Sequence, residues 1–373
     1  MKRVLTLGFM VIAMMFAGNA LAQQTKASKL KIYGDVRFRT ELDRDSKKSN
    51  GDMRADRDRF RFRFRFGVKY ALNENFEFGG RIRSGNPDNA QSPHVTIGDG
   101  FNSKDLSIDK AYIKFKKGNF YVSVGKNSMN MWEPDEMLWD GDVNPEGIAL
   151  GNKFKIGDNS KLAMNAGYFI LNNNKVTEIV DGKPVTKQTF GKHSNAAFGQ
   201  MKFCTKIGDN KLILAPGMLR AYTEQDLGIN YQIFSTFVQF KMKNGFNINL
   251  DYFMNMEDYK GKVDPAYEDE KTGFSVTAGY PLTSKLSTKV SYAQVQKYAV
   301  IDMFAQDDWM RWGNNTMTRS SNYGGFGVVL KYKVAKNMNT QLKYWNVTGL
   351  KKGTGHTDLE TGSRIRLDFN IKF

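Results

Sequence analysis

The chain has 373 residues, of which 13 % are aromatic, with a formal net charge of +17 and one cysteine, Cys204. A single cysteine cannot form an intramolecular disulfide, which excludes a disulfide-stapled scaffold. Excess positive charge often indicates nucleic-acid binding, but here the basic residues alternate along the chain instead of clustering in a tail or helix, so nucleic acid is not an expected partner.

Residues 1–22 have the organisation of a cleaved signal peptide. Lys2 and Arg3 precede the apolar run VLTLGFMVIAMMFAG, and Ala20, Leu21 and Ala22 form a small-residue cleavage site. An uncleaved membrane anchor is the alternative, and the short apolar run disfavours it. We therefore expect an exported mature chain of residues 23–373 forming one domain.

The next residues alternate with a period of two. After a first alternating segment at 29–43, RDRFRFRFRFG at 57–67 sets five arginines against four phenylalanines. In a strand, successive side chains point to opposite faces, so all the arginines share one face and all the phenylalanines the other. The same alternation continues in later segments, including FNINLDYFMN and GFGVVLKYKV.

Short and long connections alternate between these segments. Seven short turns and eight long loops make fifteen connections, which implies sixteen strands, to within two. The strand at 211–222 is the least regular, because Pro216 interrupts it. The predicted long loops are 44–56, 86–105, 127–146, 172–195, 223–230, 258–271, 299–321 and 352–361.

This pattern predicts an all-β fold, a transmembrane antiparallel up-and-down β-barrel of about 16 strands with short periplasmic turns and long extracellular loops. Phenylalanine would face hydrocarbon and arginine a wet lumen, and barrel closure removes the unpaired edges that hydrocarbon cannot satisfy. Outer-membrane lipid and lipopolysaccharide are then expected partners. A soluble β-sandwich is the alternative, but it would need polar residues on the face that carries Phe, Leu, Val and Tyr.

The last segment, GSRIRLDFNIKF, alternates in the same way and ends on Phe373. It resembles the C-terminal strand of outer-membrane barrels, whose terminal phenylalanine is read by the barrel assembly machinery. Four further stretches resemble the putative-porin family of Gram-negative outer membranes: DRFRFRFRFGVKY, LSIDKAYIKF, VSVGKNSMNMW and MLWDGDVNPEGIAL. The resemblance implies an outer-membrane pore for passive diffusion of small hydrophilic solutes, with no enzymatic reaction. By analogy with sixteen-stranded porins, a homotrimer is also plausible.

Basic residues of the inner face are the predicted pore lining, and the third long loop, 127–146, is a candidate constriction loop. An acidic loop opposite a basic wall would set up a field across the lumen, and the arginine-rich wall predicts a modest anion preference. The predicted pore-lining residues are Arg37, Arg39, Arg57, Arg59, Arg61, Arg63, Arg65, Arg81, Arg83 and Lys114. The acids of the candidate constriction loop are Glu133, Asp135, Glu136, Asp140, Asp142 and Glu146.

Other interpretations of these residues stay open. The arginines could serve packing alone, and the loop acids could be solvated or paired with neighbouring arginines. Ca²⁺ could bind around Asp140 and Asp142, although the spacing of a dedicated calcium loop is missing, and no other cofactor is expected. His94, His193 and His356 fall in separate loops, which suggests neither a metal site nor a catalytic triad. A plugged barrel acting as a surface adhesin or structural protein is the alternative function.

Overall fold

The computed structural model describes residues 29–98, 103–171, 175–180, 183–188, 194–223, 228–313 and 319–373. The predicted signal peptide and His193 lie outside the described residues. Among those that are described, no helix has the length and apolar character needed to cross a membrane.

Sixteen of the strands in the described residues form one closed antiparallel barrel, as predicted. Each barrel strand pairs with the next one along the chain, and the first strand pairs with the last, at Phe38 with Phe369 and Arg39 with Asp368. The barrel strands are β1 Leu30–Arg44, β2 Arg57–Ala71, β3 Phe76–Ser84, β5 Leu106–Lys117, β6 Phe120–Lys126, β7 Glu146–Ile156, β8 Ser160–Ile170, β11 Asn195–Ile207, β12 Asn210–Tyr222, β13 Tyr231–Lys241, β14 Asn247–Asn255, β15 Thr272–Pro281, β16 Leu286–Val295, β17 Tyr323–Ala335, β18 Met338–Gly349 and β19 Thr361–Lys372.

In the described parts of the long loops there are three short strands and one 3-10 turn. β4 Val95–Thr96 pairs with β2 at Arg61 and Phe62, on the part of β2 that extends beyond β3. β9 Lys175–Val180 and β10 Lys183–Gln188 form a separate two-stranded hairpin. The 3-10 turn covers Pro265–Tyr267.

Alternation sorts the side chains of β2 as the sequence predicts. Phe60 is 64 % exposed on the outer face, whereas Arg63 on the inner face is 6 % exposed. Contact with hydrocarbon stabilises an exposed aromatic outer face of this kind. Closure of the barrel leaves no unpaired strand edge exposed to that hydrocarbon.

Pro216 lies within β12 without ending the strand. It pairs with Thr236 of β13, but on the β11 side the ladder has no paired residues between Gln200–Gly217 and Phe203–Leu214. Proline has no N–H to donate, so it interrupts the ladder on one side only.

The inner face is not uniformly polar. On β11 to β14, Phe198, Ile213, Phe237 and Phe253 point inward and are at most 5 % exposed. The expectation of a wet lumen holds for only part of the wall, because Phe198, Phe237 and Phe253 belong to one apolar cluster with loop residues.

Near the end of β6, where the chain leaves the barrel wall, the backbone conformation requires a glycine, Gly125. Its φ is +112°, and an added Cβ would lie 2.4 Å from the carbonyl oxygen of Ala111. We expect Gly125→Ala to lower the free energy of unfolding by about 1–3 kcal/mol, measured by urea titration in detergent.

Gly199 of β11 provides the matched control, since an added Cβ there has no atom within 4 Å. Gly199→Ala should change stability by less than about 0.5 kcal/mol. Equal losses for the two variants would show that the bend at Gly125 is not the cause.

Candidate functional site

The loop between β6 and β7, residues 127–145, crosses the lumen. On one side Asp142 contacts Arg63 of β2, with 3.4 Å between Nη1 and Oδ2. On the other side Asn249 of β14 donates a 3.0 Å hydrogen bond to Asp135. β14 is seven strand positions from β2 by the shorter path around the ring of sixteen, so a loop that contacts both strands lies inside the barrel.

The middle of this loop is fixed to the wall at Gln200 of β11. The Gln200 amide accepts from the Trp132 N–H at 2.8 Å and donates to the Trp132 carbonyl at 2.9 Å. Lys202, two residues further along the same inner face, lies over the Trp132 ring at 4.5 Å. The tryptophan is therefore held at both its backbone and its ring.

Glu133 stabilises the fold of the loop itself. Its carboxylate accepts hydrogen bonds from the backbone N–H groups of Leu138 and Trp139. Leu138 is 1 % exposed and Trp139 stacks on Phe304 with ring centroids 4.9 Å apart. Burying one such apolar side chain contributes about 1.5–3 kcal/mol, which is enough to hold a loop against thermal opening.

Two other long connections also enter the barrel. In the loop after β3, the Gln91 amide donates to the carbonyls of Asp302 and Ala305, both at 2.8 Å, in the loop after β16. That second loop accepts a 2.7 Å hydrogen bond from the Asp140 N–H at the carbonyl of Phe304. Three loops therefore pack on one another inside the lumen.

Most of the predicted arginines form ion pairs in two neighbouring clusters, here together called the charged wall. Register explains it, because Asp368 lies directly opposite Arg39 across the β1–β19 pair and forms two hydrogen bonds with it, at 2.6 and 2.9 Å. The cations of the charged wall are Arg37, Arg39, Arg57, Arg59, Arg61, Arg63, Arg65, Lys343, Arg364 and Arg366. Its carboxylates are Asp35, Glu41, Asp43, Asp142, Asp308 and Asp368.

Each cation of the charged wall has at least one carboxylate within 4 Å, but ten cations share six carboxylates, a formal excess of four positive charges. Burial opposes ionisation of Asp142, yet Arg65 and Arg63 hold its pKa below the ordinary value. The loop acid is therefore charged and completes the cluster of Arg63, Arg65 and Asp35.

Two polar cavities lie between the inward loops and the wall. Their volumes are about 340 and 380 Å³. Glu136 has a φ of +55°, an uncommon conformation for a residue with a side chain, and it faces both cavities. The residues common to the two cavities are Glu136, Asp308, Lys331, Gln341 and Lys343.

The remaining predicted basic residues also lie on the inner face. Arg81 forms an ion pair with Asp109, and Arg83 donates to the carbonyls of Asn89 and Ala90. Lys114 lies over the Tyr121 ring at 4.7 Å.

Glu146 requires a correction. It was expected among the acids of the constriction loop, but it is the first residue of β7 and pairs with Lys126 at 3.0 Å on the exposed rim. Strand pairing between β6 and β7 begins at these two residues, which keeps Glu146 in the wall and out of the lumen.

Several residues of the site were missed by sequence reasoning. Asp35, Glu41 and Asp43 have the same parity in β1 as Arg37 and Arg39, so the alternation itself placed them on the inner face. Asp308 gave no signal, because its contact with Arg366 depends on how the loop after β16 folds.

His94 is 8 % exposed, and its Nδ1 lies 3.4 Å from the Ser92 hydroxyl. Burial, and next the charge of Arg39, lower the pKa of His94 well below its ordinary value. In the described parts of the chain, no three His, Cys, Asp or Glu residues are grouped to hold a metal ion. Calcium binding around Asp140 therefore stays a prediction of the sequence.

Residues 45–200 match the model of a family described as putative porin. The predicted resemblance is confirmed by this match. A search of curated proteins found no match.

Solved structures of outer-membrane porins have the same fold. OmpF of Salmonella typhi is 13 % identical, with a TM-score of 0.57 over 93 % of this chain and 98 % of its own. OprB of Pseudomonas putida is 11 % identical, with a TM-score of 0.57 over 92 % and 94 %. The channel DcaP of Acinetobacter baumannii is 12 % identical, with a TM-score of 0.50 over 94 % and 99 %. At these identities the likeness establishes the porin fold.

The contact between two inward loops should depend on pH. Burial, and next the charge of Asp307, raise the pKa of Asp140 well above its ordinary value. A carboxyl whose pKa is raised by folding costs no stability below its unfolded pKa. The cost then grows by about 1.4 kcal/mol for each pH unit until the pH passes the folded pKa. As the pH rises from mildly acidic to alkaline, we expect the free energy of unfolding to fall less in Asp140→Asn than in the wild type.

Urea midpoints measured across this pH range test the expectation. Asn keeps the oxygen that accepts the 2.7 Å hydrogen bond from the Asp142 N–H, so the variant removes only the ionisation. Asp158→Asn, in an exposed turn, is the control and should follow the wild type. An unchanged pH slope in Asp140→Asn would show that this carboxyl does not carry the effect.

Proposed function

We propose that this protein is an outer-membrane porin through which small hydrophilic solutes diffuse passively, with a modest preference for anions. The observation that carries the proposal is the loop 127–145, which crosses the lumen and leaves polar cavities between itself and the barrel wall. A constriction of this kind limits solutes by size and charge, because every solute must pass close to fixed side chains.

The anion preference is supported by the uneven charge of the wall. The ion pairs of the charged wall join ten cations to six carboxylates, which is a positive excess. The cavity that Arg37 lines carries six basic and six acidic side chains, but burial raises the pKa of Glu136, Asp140 and Asp307 and so favours their uncharged forms. Ion pairing holds the arginines in place, and the excess charge acts on passing ions at about 1 kcal/mol per pair at 4 Å in water, and more near a low-dielectric wall. A preference of this size sorts ions without trapping them.

Location and partners follow from the same proposal. The chain would be exported through its predicted signal peptide and surrounded by outer-membrane lipid and lipopolysaccharide. Phe373 exchanges backbone hydrogen bonds with Gly34, 3.1 and 3.0 Å long, and its side chain is 51 % exposed on the outer face, where the barrel assembly machinery could recognise it. A homotrimer would place several such barrels side by side. No chemical reaction forms part of the proposal.

A plugged barrel is the second candidate function. It is favoured by the three loops that pack together in the lumen, because apolar contacts such as Trp139 on Phe304 narrow the passage. The barrel would then present its outer loops to a partner and conduct no ions.

Single-channel recording in a planar bilayer under a KCl gradient separates the two candidates. For a porin we expect stepwise conductance and a reversal potential that favours Cl⁻. Lys331→Gln removes a cavity cation that forms no ion pair with the described residues, and it should move the reversal potential toward K⁺ by a few millivolts, since the change is one charge among several.

Lys262→Gln, on an exposed outer loop, is the control and should leave the potential unchanged. Conductance that favours K⁺ would contradict the anion preference and assign selectivity to the acidic loop. Absence of conductance would contradict the porin proposal and support the plugged barrel.

A further inference from the structure

A second set of basic residues lines the other end of the lumen, near the short turns. These residues are lysines on five neighbouring strands, β7, β8, β11, β12 and β13, and we call them the lysine belt. In strand parity they share the inner face with Asn165 and Gln200, which make lumenal hydrogen bonds. The lysine belt consists of Lys153, Lys155, Lys161, Lys202, Lys206, Lys211 and Lys241.

Strand register places like charges of the belt directly opposite one another. Lys155 pairs with Lys161, and Lys211 pairs with Lys206 on one side and Lys241 on the other. Like charges in directly opposite positions destabilise a sheet. The arrangement therefore works against stability and calls for a functional explanation.

The belt differs from the charged wall in having almost no carboxylates. Lys155 forms a 3.2 Å ion pair with Asp158 in an exposed turn. The other six lysines of the belt form no ion pair with any residue that the structure describes. Fixed positive charge that no carboxylate neutralises is available to anions in the lumen.

The belt begins directly at the loop that crosses the lumen. Lys202 lies over the ring of Trp132, which belongs to that loop, and Lys206 and Lys211 follow toward the turn at 208–209. A solute that passes the loop therefore meets the belt on its way to the short-turn end, which faces the periplasm in outer-membrane barrels.

We propose that the lysine belt binds multivalent anions, that is, solutes that carry two or more carboxylate, phosphate or sulfate groups. Neighbouring strands are about 4.8 Å apart and alternate residues about 6.6 Å apart, so one rigid surface offers several ammonium groups to one solute. A monovalent ion gains from one lysine at a time, whereas a multivalent anion gains from two or three. The proposal deepens the porin function and rests on it for the route by which the solute arrives.

Cys204 is a native reporter of the potential at the belt. It is the chain's one cysteine, it is partly exposed, and it pairs in register with Lys161 between Lys202 and Lys206. Methanethiosulfonate reagents convert a thiolate to a mixed disulfide and release methanesulfinate. The thiolate fraction affects all such reagents equally, so the ratio of the rate of an anionic reagent to that of a cationic reagent reports the local potential alone.

The experiment compares the ethylsulfonate and ethyltrimethylammonium reagents on the folded full-length protein in detergent. After division by the ratio for free cysteine, we expect the anionic reagent to react at least about tenfold faster with Cys204. The ratio should fall as ionic strength rises, because the Debye length shrinks from about 10 Å at 0.1 M to about 3 Å at 1 M salt.

Two matched triple variants test whether the lysine belt causes the faster reaction of the anionic reagent. Lys161→Gln/Lys206→Gln/Lys211→Gln should bring the ratio close to that of free cysteine. Lys48→Gln/Lys260→Gln/Lys262→Gln removes the same charge from exposed loops at the opposite end and should leave the ratio unchanged. A wild-type ratio near that of free cysteine, or equal effects of the two triple variants, would overturn the proposal.

Competition tests the multivalent class. Inorganic tripolyphosphate should slow the anionic reagent at lower concentration than acetate does at matched ionic strength, and the belt variant should lose this difference. Equal protection of Cys204 by the two anions would show that they act only by screening charge, and it would overturn the proposed binding site.

The outcomes are separable from those of the porin proposal, since Cys204 can be reached from the short-turn end of a barrel that does not conduct. A high ratio without conductance would keep the belt and reject the porin. Conductance together with a reagent-rate ratio near that of free cysteine would support the porin and reject the belt. If neither reagent modified the folded protein, Cys204 would not lie on the lumenal wall, and the proposal of a lysine belt there would be rejected.

Discussion

Barrel closure places the carboxylates of β1 between two strands that carry arginines, and the rest of the lumen depends on this arrangement. Glu41 lies opposite Arg366 of β19 on one side and Arg59 of β2 on the other. Without these acids, arginines of β1 and β2 would face each other directly, as Arg39 and Arg61 already do. Breaking a buried ion pair leaves an uncompensated charge and costs about 3–5 kcal/mol. The seam between the first and last strands is therefore held by side chains as well as by the backbone.

The two halves of the inner wall explain why the loops fold inward. The charged wall lacks enough carboxylates of its own, and Asp142 and Asp308 supply two more from loops. The opposite half carries buried Phe198 and Phe237, which remove the apolar face of the 127–145 loop from water. A loop that meets the charged wall through Asp142 and β11 through Trp132 fits between such halves, so its position follows from charge and burial together.

Much of the barrel could be predicted from the sequence, because the outer and inner environments of each strand differ and a two-residue period records that difference. The arginine strand and the strand count were confirmed for this reason. The paths of the loops could not be predicted, since contacts such as Gln91 with Asp302 join residues 211 apart. The acids of β1 were within reach, because the run DVRFRTELD places them in phase with its arginines.

The seam also has a consequence for assembly. Arg39 and Asp368 are 329 residues apart, so their ion pair forms only after nearly the whole chain has been delivered. Contacts of such long range are the slowest to form during folding. Until then the edges of the unfinished sheet carry charges of opposite sign at matching heights, and Arg39 lacks the carboxylate with which it pairs in the closed barrel. Complementary charge thus favours pairing of the last strand with the first. It thereby favours closure of the unfinished sheet over pairing with a strand of another chain.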